Sequence, residues 1–144
     1  MDGYDSWLAD FQRRLVLHDR AVEALARDLA ARTEWRVMAC GARGFPQPEP
    51  ARGRAPDVVC HRGDAVPLCL EVELPETLVR RETVHRLRGL SRGRAFDTRV
   101  VMVGAPEEHE RQIREARRLL RRAGIEVPVA ALAPEEETLT GADW

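Results

Sequence analysis

The chain contains no lysine, no long apolar run and only three cysteines. No apolar stretch approaches the ~20 residues that a membrane-spanning helix needs, so a membrane protein is not expected. The N-terminal segment is acidic and amphipathic and lacks the features of a signal peptide, which predicts a cytoplasmic protein. Cys40, Cys60 and Cys69 have no Cys-x-x-Cys spacing, which argues against a disulfide framework or a zinc knuckle and predicts small, buried apolar side chains.

Two common catalytic signatures are also missing. No serine lies in a Gly-x-Ser-x-Gly context, and the segment GARG at 41–44 lacks the Gly-Lys-Thr ending of a phosphate-binding P-loop. The histidines show no spacing typical of nucleophilic catalysis, and His109, which lies among glutamates, is predicted to be exposed.

All 23 basic residues are arginine, and with 24 acidic residues they give a formal net charge of −1. The charge is unevenly distributed, because residues 80–99 and 111–122 are rich in arginine whereas residues 134–144 are acidic. The planar guanidinium group binds oxyanions through two parallel hydrogen bonds. The basic segments are therefore compatible with a phosphate backbone, although a solvated helix face has the same composition.

The length of 144 residues predicts a single domain with one core. Apolar periodicity predicts one long or two abutting helices over 5–33, and further helices over 75–90 and 106–124. Short apolar runs predict strands within 34–42, 56–62, 65–74, 98–105 and 125–133. The segment 43–56, rich in proline and glycine, predicts a loop long enough to be functional. This order indicates an α/β fold with a central hairpin and a terminal βαβ unit.

Three carboxylates interrupt the two apolar strands of the hairpin. Alternate side chains on a strand share a face, so Glu71 and Glu73 point the same way. A two-residue loop would pair Asp57 with Leu70, on the wrong face for the glutamates. A three-residue loop at 63–65, or one bulged residue, would pair Asp57 with Glu71. The sequence leaves both registers open.

Clustered carboxylates repel one another unless their pKa values rise or a hard divalent cation binds between them. Magnesium and manganese suit oxygen ligands of this kind, and either ion could activate water and stabilise charge on a phosphoryl group. In the alternative interpretation, Asp57 caps the loop exit. Glu71 and Glu73 then face solvent or pair with arginines, such as Arg52, Arg54 or those of the helices.

The combination of Pro56-Asp57, a hairpin turn and Glu71-Val72-Glu73 resembles the motif of the PD-(D/E)xK nuclease superfamily. The predicted order of elements over residues 15–103 is also similar: a helix, a three-strand meander that holds the motif, a helix and a further strand. The resemblance implies a single nuclease-like domain over 1–144. It also implies a three-layer restriction endonuclease-like core, in which a central mixed sheet is flanked by helices.

By this resemblance, Asp57 and Glu71 are the ligands of Mg²⁺ or Mn²⁺, with the carbonyl of Val72 as a third. Glu73 completes the implied catalytic set, but it replaces the superfamily's lysine and so removes a positive charge that would stabilise the transition state. Some restriction endonucleases of the superfamily carry glutamate here and are active, whereas other members have lost catalysis. Members often add a glutamate from the first helix, for which Glu23 is the nearest candidate.

The resulting expectation is a metal-dependent nuclease that hydrolyses phosphodiesters of nucleic acid, DNA rather than RNA. The alternative is a catalytically inactive nuclease-like fold that binds nucleic acid or a protein. Arg81, His85, Arg88 and Arg92 recur at helical spacing and form either a face for a phosphate backbone or an ordinary solvated surface. Nucleases of this kind often pair to cut both strands, so the resemblance also allows a homodimer.

Overall fold

The computed structural model describes residues 3–32 and 34–144 as an α/β fold built on a mixed six-stranded sheet. The helices are α1 (Gly3–Arg32), α2 (Pro75–Leu78), α3 (Arg81–Arg92) and α4 (His109–Arg122), the last preceded by a 3₁₀ turn at Pro106–Glu108. The strands are β1 (Arg36–Ala39), β2 (Val58–His61), β3 (Leu68–Glu73), β4 (Asp97–Val103), β5 (Val129–Ala133) and β6 (Thr138–Thr140). None of the helices in this part of the chain has the length and apolarity to cross a membrane.

One helical prediction differs from the structure. The first segment is one continuous helix, which is one of the two predicted alternatives, and Thr33, at its predicted end, lies outside the described residues. The single helix predicted over 75–90 is instead α2 and α3, because Arg80 adopts an extended backbone between them. As a result Val79, which shares one predicted helical face with Thr83, Leu87 and Leu90, is 62% exposed.

The strands lie side by side in the order β1 to β6. The first three are antiparallel, β3, β4 and β5 are mutually parallel, and β6 is antiparallel to β5. The predicted meander and βαβ unit are therefore confirmed, whereas β6 was not predicted from the acidic tail. All six residues of β3 are buried, as expected for a strand with neighbours on both sides and helices on both faces.

Alternate residues of the sheet contribute to two apolar clusters. On one face, Leu70 and Val101 pack with Val22, Leu25 and Leu29 of the second half of α1. On the other face, a second cluster joins β4 and β5 to α2, α3 and α4; its members include Val100, Met102, Leu78, Leu87, Ala116 and Leu120. The first half of α1 extends beyond this packing, because residues 3–16 are exposed except for the half-buried Leu8 and Arg14.

The hairpin register resolves the alternative left open by the sequence. Val58 pairs with Leu70 and Cys60 with Leu68, so one further step places Asp57 opposite Glu71. The chain reverses at Gly63, whose positive φ of 64° favours glycine. This is the register of a three-residue loop, and it brings Asp57 beside Glu71.

Two burial predictions were wrong. Cys60 and Cys69 are buried, but Cys40 is exposed, because it lies in the turn that follows β1; all three thiols are free. His109 is only 1% exposed, since its imidazole contacts the Gly104 carbonyl through Nε2 at 2.9 Å and the Thr140 hydroxyl through Nδ1 at 2.7 Å. Thr140 belongs to β6, the strand that the sequence did not reveal.

Candidate nucleic-acid interface and its carboxylate cluster

Asp57 and Glu71 are held against each other by backbone hydrogen bonds. The amide of Asp57 donates to Glu71 Oε2 at 3.1 Å, and the amide of Val72 donates to Asp57 Oδ2 at 2.8 Å. The carbonyl of Asp57 accepts a hydrogen bond from the Cys40 amide at 2.9 Å, which ties the end of the 43–56 loop to the end of β1. Asp57 is 4% exposed and Glu71 is fully buried, so both carboxylates need partners.

A buried arginine from α3 is the partner of Glu71. The Nε of Arg86 lies 2.6 Å from Glu71 Oε1, and Arg86 as a whole is 8% exposed. Its two Nη atoms donate to loop carbonyls: Nη1 to those of Ala51 and Arg52, the latter at 2.9 Å, and Nη2 to that of Arg54 at 3.3 Å. One guanidinium therefore neutralises Glu71 and fixes the 43–56 loop over the end of the hairpin.

A histidine from α1 is the partner of Asp57. His18 Nε2 lies 3.2 Å from Asp57 Oδ1, while His18 Nδ1 lies 3.4 Å from Asp19 Oδ1. The hydrogen bond with Asp57, together with the charges of Asp57 and Asp19, raises the pKa of His18 to about 9 against the opposing effect of burial. His18 is consequently a cation at neutral pH and balances the charge of Asp57.

Glu73 is bound to a helix-capping threonine. The Thr77 hydroxyl donates to Glu73 Oε2 at 2.6 Å and accepts the Leu74 amide at 3.0 Å, which caps α2 behind Pro75. Burial raises the pKa of Glu73, and the hydrogen bond from Thr77 opposes that rise.

Burial, reinforced by the charge of Asp57, likewise raises the pKa of Glu71 to about 7, although Arg86 opposes the shift.

As arranged, these carboxylates do not fit a divalent cation. Each of the four oxygens of Asp57 and Glu71 already faces a protein donor, and two of those donors are the cationic side chains of Arg86 and His18. A metal ion would have to displace both cations or tolerate their repulsion. Within residues 3–32 and 34–144, no group of three or more histidine, cysteine, aspartate or glutamate side chains is placed to hold a metal.

A large open cleft lies beside this cluster, between the first half of α1, residues 52–54, the end of β3, α2 and α3. Its volume is about 1440 Å³. Among its described lining residues, two are acidic, Glu73 and Glu82, whereas ten are arginine or histidine. The basic set is Arg14, His18, Arg52, Arg54, Arg80, Arg81, His85, Arg86, Arg88 and Arg92. Arg14, His18 and Arg86 are paired with carboxylates, so the excess positive charge of the cleft comes from its other arginines: Arg52, Arg54, Arg80, Arg81, Arg88 and Arg92.

The four α3 residues suggested for nucleic-acid contact all line the cleft: Arg81, His85, Arg88 and Arg92. Three of them are exposed, whereas Arg88 is half-buried and donates to the Ala123 carbonyl through Nη2 at 2.9 Å and Nε at 3.2 Å. Glu73 lines the cleft as well. The carboxylate of Glu23 accepts a hydrogen bond from Arg27 at 2.8 Å within α1, and His18 is the α1 residue that reaches Asp57.

Arg86 and His18 were missed as site residues, although both carry a sequence signal. Arg86 lies three residues after Thr83 and one before Leu87, so it falls on the helical face that these two residues share in the sequence. His18 lies four residues before Val22 and extends the buried stripe of α1. A charged residue at a stripe position indicates a buried partner, which here is a strand carboxylate in both cases.

Comparison of the chain with protein-family models, curated proteins and solved structures finds no match. The geometry of the cluster and the cleft is therefore the basis for a functional proposal.

The His18–Asp57 pair predicts a pH-dependent contribution to stability. Because the folded-state pKa is raised from 6.5 to about 9, the contribution is complete below about pH 6.5 and is lost as the pH rises through about 9. Allowing for the partial exposure of His18, we expect His18→Gln to lower the unfolding free energy by about 1–2 kcal/mol more at pH 6 than at pH 10. Urea unfolding at both pH values measures this difference, and His85→Gln, at an exposed position on α3, is the control. An equal deficit at the two pH values would contradict the ion pair.

Proposed function

We propose that this protein binds nucleic acid in its arginine-lined cleft and does so without a metal ion. The observation that carries this proposal is the concentration of arginine around a single cleft in a chain whose net charge is −1, which leaves the rest of the chain acidic. Phosphate contacts from arginine supply most of the affinity in nonspecific nucleic-acid binding. The guanidinium groups of Arg81 and Arg92 are exposed on one side of α3 and are suited to such contacts.

The scaffold in this proposal is a nuclease-like, three-layer restriction endonuclease-like core. The packing of α1 on one face of the sheet and of α3 and α4 on the other supports it. The position of Asp57 opposite Glu71 supports it further, because the resemblance to the PD-(D/E)xK superfamily requires these residues to be neighbours. In this chain Arg86 and His18 provide internally the positive charges that neutralise Glu71 and Asp57.

Phosphodiester hydrolysis by a Mg²⁺- or Mn²⁺-dependent enzyme is the second candidate. It is favoured by the adjacency of Asp57 and Glu71 and by the position of Glu73 at the cleft surface. It is disfavoured by Arg86 and His18, which take the places on Glu71 and Asp57 that a cation would need.

Incubation with labelled oligonucleotides in the presence of magnesium or manganese distinguishes the two candidates. We expect single-stranded DNA, duplex DNA and RNA to be bound and to keep their lengths on a denaturing gel, with binding retained when EDTA replaces the metal. Metal-dependent shortening that disappears in Asp57→Asn would instead establish the nuclease. Failure to bind any of the three substrates at low salt would remove the proposal of a nucleic-acid cleft.

A further inference from the structure

The first half of α1 carries an exposed aromatic ladder that the folded core does not use. Tyr4, Trp7 and Phe11 are 66%, 55% and 38% exposed. Their rings stack in succession, with centroids 6.3 Å apart between Tyr4 and Trp7 and 5.4 Å apart between Trp7 and Phe11. Leu15, one turn further on, is 46% exposed and continues the same stripe. The apolar periodicity of this segment continues into the second half of α1, but the sheet covers only that second half.

The ladder is continuous with the basic cleft. Phe11 and Leu15 line the cleft together with Arg14 and His18, so the apolar stripe leads directly into the arginine-lined space. The nearby carboxylate of Asp10 is paired with Arg13 at 3.0 Å and Arg14 at 2.9 Å, so its charge is balanced locally. Flat apolar rings thus border a cationic groove along one side.

We infer that this ladder and the cleft together form a binding site for single-stranded nucleic acid, an inference that rests on the function proposed above. Unpaired bases stack on Trp7 and Phe11 by displacing the contact between these two rings, whose centroid distance of 5.4 Å leaves no room for a base, while the linking phosphates contact the cleft arginines. Sites that combine a cationic groove with exposed aromatic rings are typical of sequence-tolerant single-strand binding. In a duplex the base faces are stacked on each other, so a duplex offers phosphates to the arginines but no free face to the ladder.

Binding of four probes in EDTA tests this inference: oligothymidylate, oligouridylate, an abasic strand of equal length and a short duplex. For the wild type we expect oligothymidylate to bind at least about tenfold more tightly than the abasic strand or the duplex. The double variant Trp7→Ala/Phe11→Ala should lose this advantage and bind all DNA probes with the affinity of the abasic strand. Because both residues are exposed, the variant is expected to fold; Leu119→Ala, an exposed apolar site on α4, is the control. The ratio of oligothymidylate to oligouridylate affinity identifies whether DNA or RNA is preferred.

Tryptophan fluorescence gives a second measurement on the same samples. Oligothymidylate should quench the emission of Trp7, and Trp7→Phe should remove the quenching while keeping the affinity within about threefold of the wild type, since a phenyl ring still stacks. Equal binding of oligothymidylate and the abasic strand would overturn the inference and leave the cleft proposal intact. The inference would also be overturned if the wild type were a dimer and the double variant a monomer with the same affinity for oligothymidylate. Absence of binding to every probe would instead reject the cleft proposal itself.

Discussion

Replacing Arg86 with methionine is expected to be the most destabilising single substitution in the site. The change keeps much of the side-chain volume but leaves Glu71 buried without its cation and frees the carbonyls of Ala51, Arg52 and Arg54. Breaking a buried ion pair on one side costs about 3–5 kcal/mol. We expect a loss of that size in the unfolding free energy, measured by urea denaturation at about pH 8, between the pKa values of Glu71 and His18, about 7 and about 9.

Arg88→Met is the matched control, because Arg88 is on the same helix and donates to the single carbonyl of Ala123. Its cost should be about 1 kcal/mol. Combining Arg86→Met with Glu71→Gln should cost less than the sum of the two single changes, since the second removes the unpaired charge. Equal losses of unfolding free energy in Arg86→Met and Arg88→Met would show that the ion pair with Glu71 adds no stability beyond that of an ordinary hydrogen bond.

Removing two exposed cleft arginines is expected to have the largest effect on binding. In Arg81→Ala/Arg92→Ala, two guanidinium groups that line the cleft are lost from solvent-exposed positions on α3, so the fold should be unaffected. A hydrogen bond to a charged group contributes about 1.5 kcal/mol or more, which corresponds to about tenfold in affinity for each arginine. We therefore expect oligonucleotide binding to weaken by about two orders of magnitude at low salt, as measured by fluorescence anisotropy.

The salt dependence of the same titrations separates phosphate contacts from other causes. Losing two contacts should reduce the slope of log affinity against log salt by about 1.4 to 1.8. Arg114→Ala/Arg118→Ala removes the same charge from exposed positions of α4 that do not line the cleft. If this control weakens binding as much as Arg81→Ala/Arg92→Ala, the cleft is not the binding surface.

The carboxylate cluster could be predicted because its determinants are local. Alternation along β3 places Glu71 and Glu73 on one face, and the short connection through Gly63 limits Asp57 to two registers. The choice between these registers could not be read from the sequence, because it depends on the conformation of the turn. The spacing of Arg81, His85, Arg88 and Arg92 likewise predicted that they lie on one side of a helix. Their position in a cleft could not be predicted, because it depends on α1 and the 43–56 loop.

The partners of the cluster depend on tertiary packing. Arg86 reaches Glu71 from α3, which begins after the extended Arg80 that separates it from α2. The exposure of Trp7 could not be foreseen either, since periodicity identifies an apolar face without indicating how far the sheet extends beneath it. The burial of His109 depends on β6, which has only three residues and is therefore too short for its alternation of apolar and polar side chains to indicate a strand.

The central claim, that the cleft binds nucleic acid without a metal ion, is tested most directly by an anisotropy titration of a labelled oligonucleotide in EDTA. Salt is varied between about 50 mM and about 200 mM, and affinity should fall steeply over this range, as expected when several phosphates are neutralised by arginine. Binding that is absent in EDTA and restored by magnesium would contradict the account, because it would place a metal ion where Arg86 and His18 now neutralise the carboxylates.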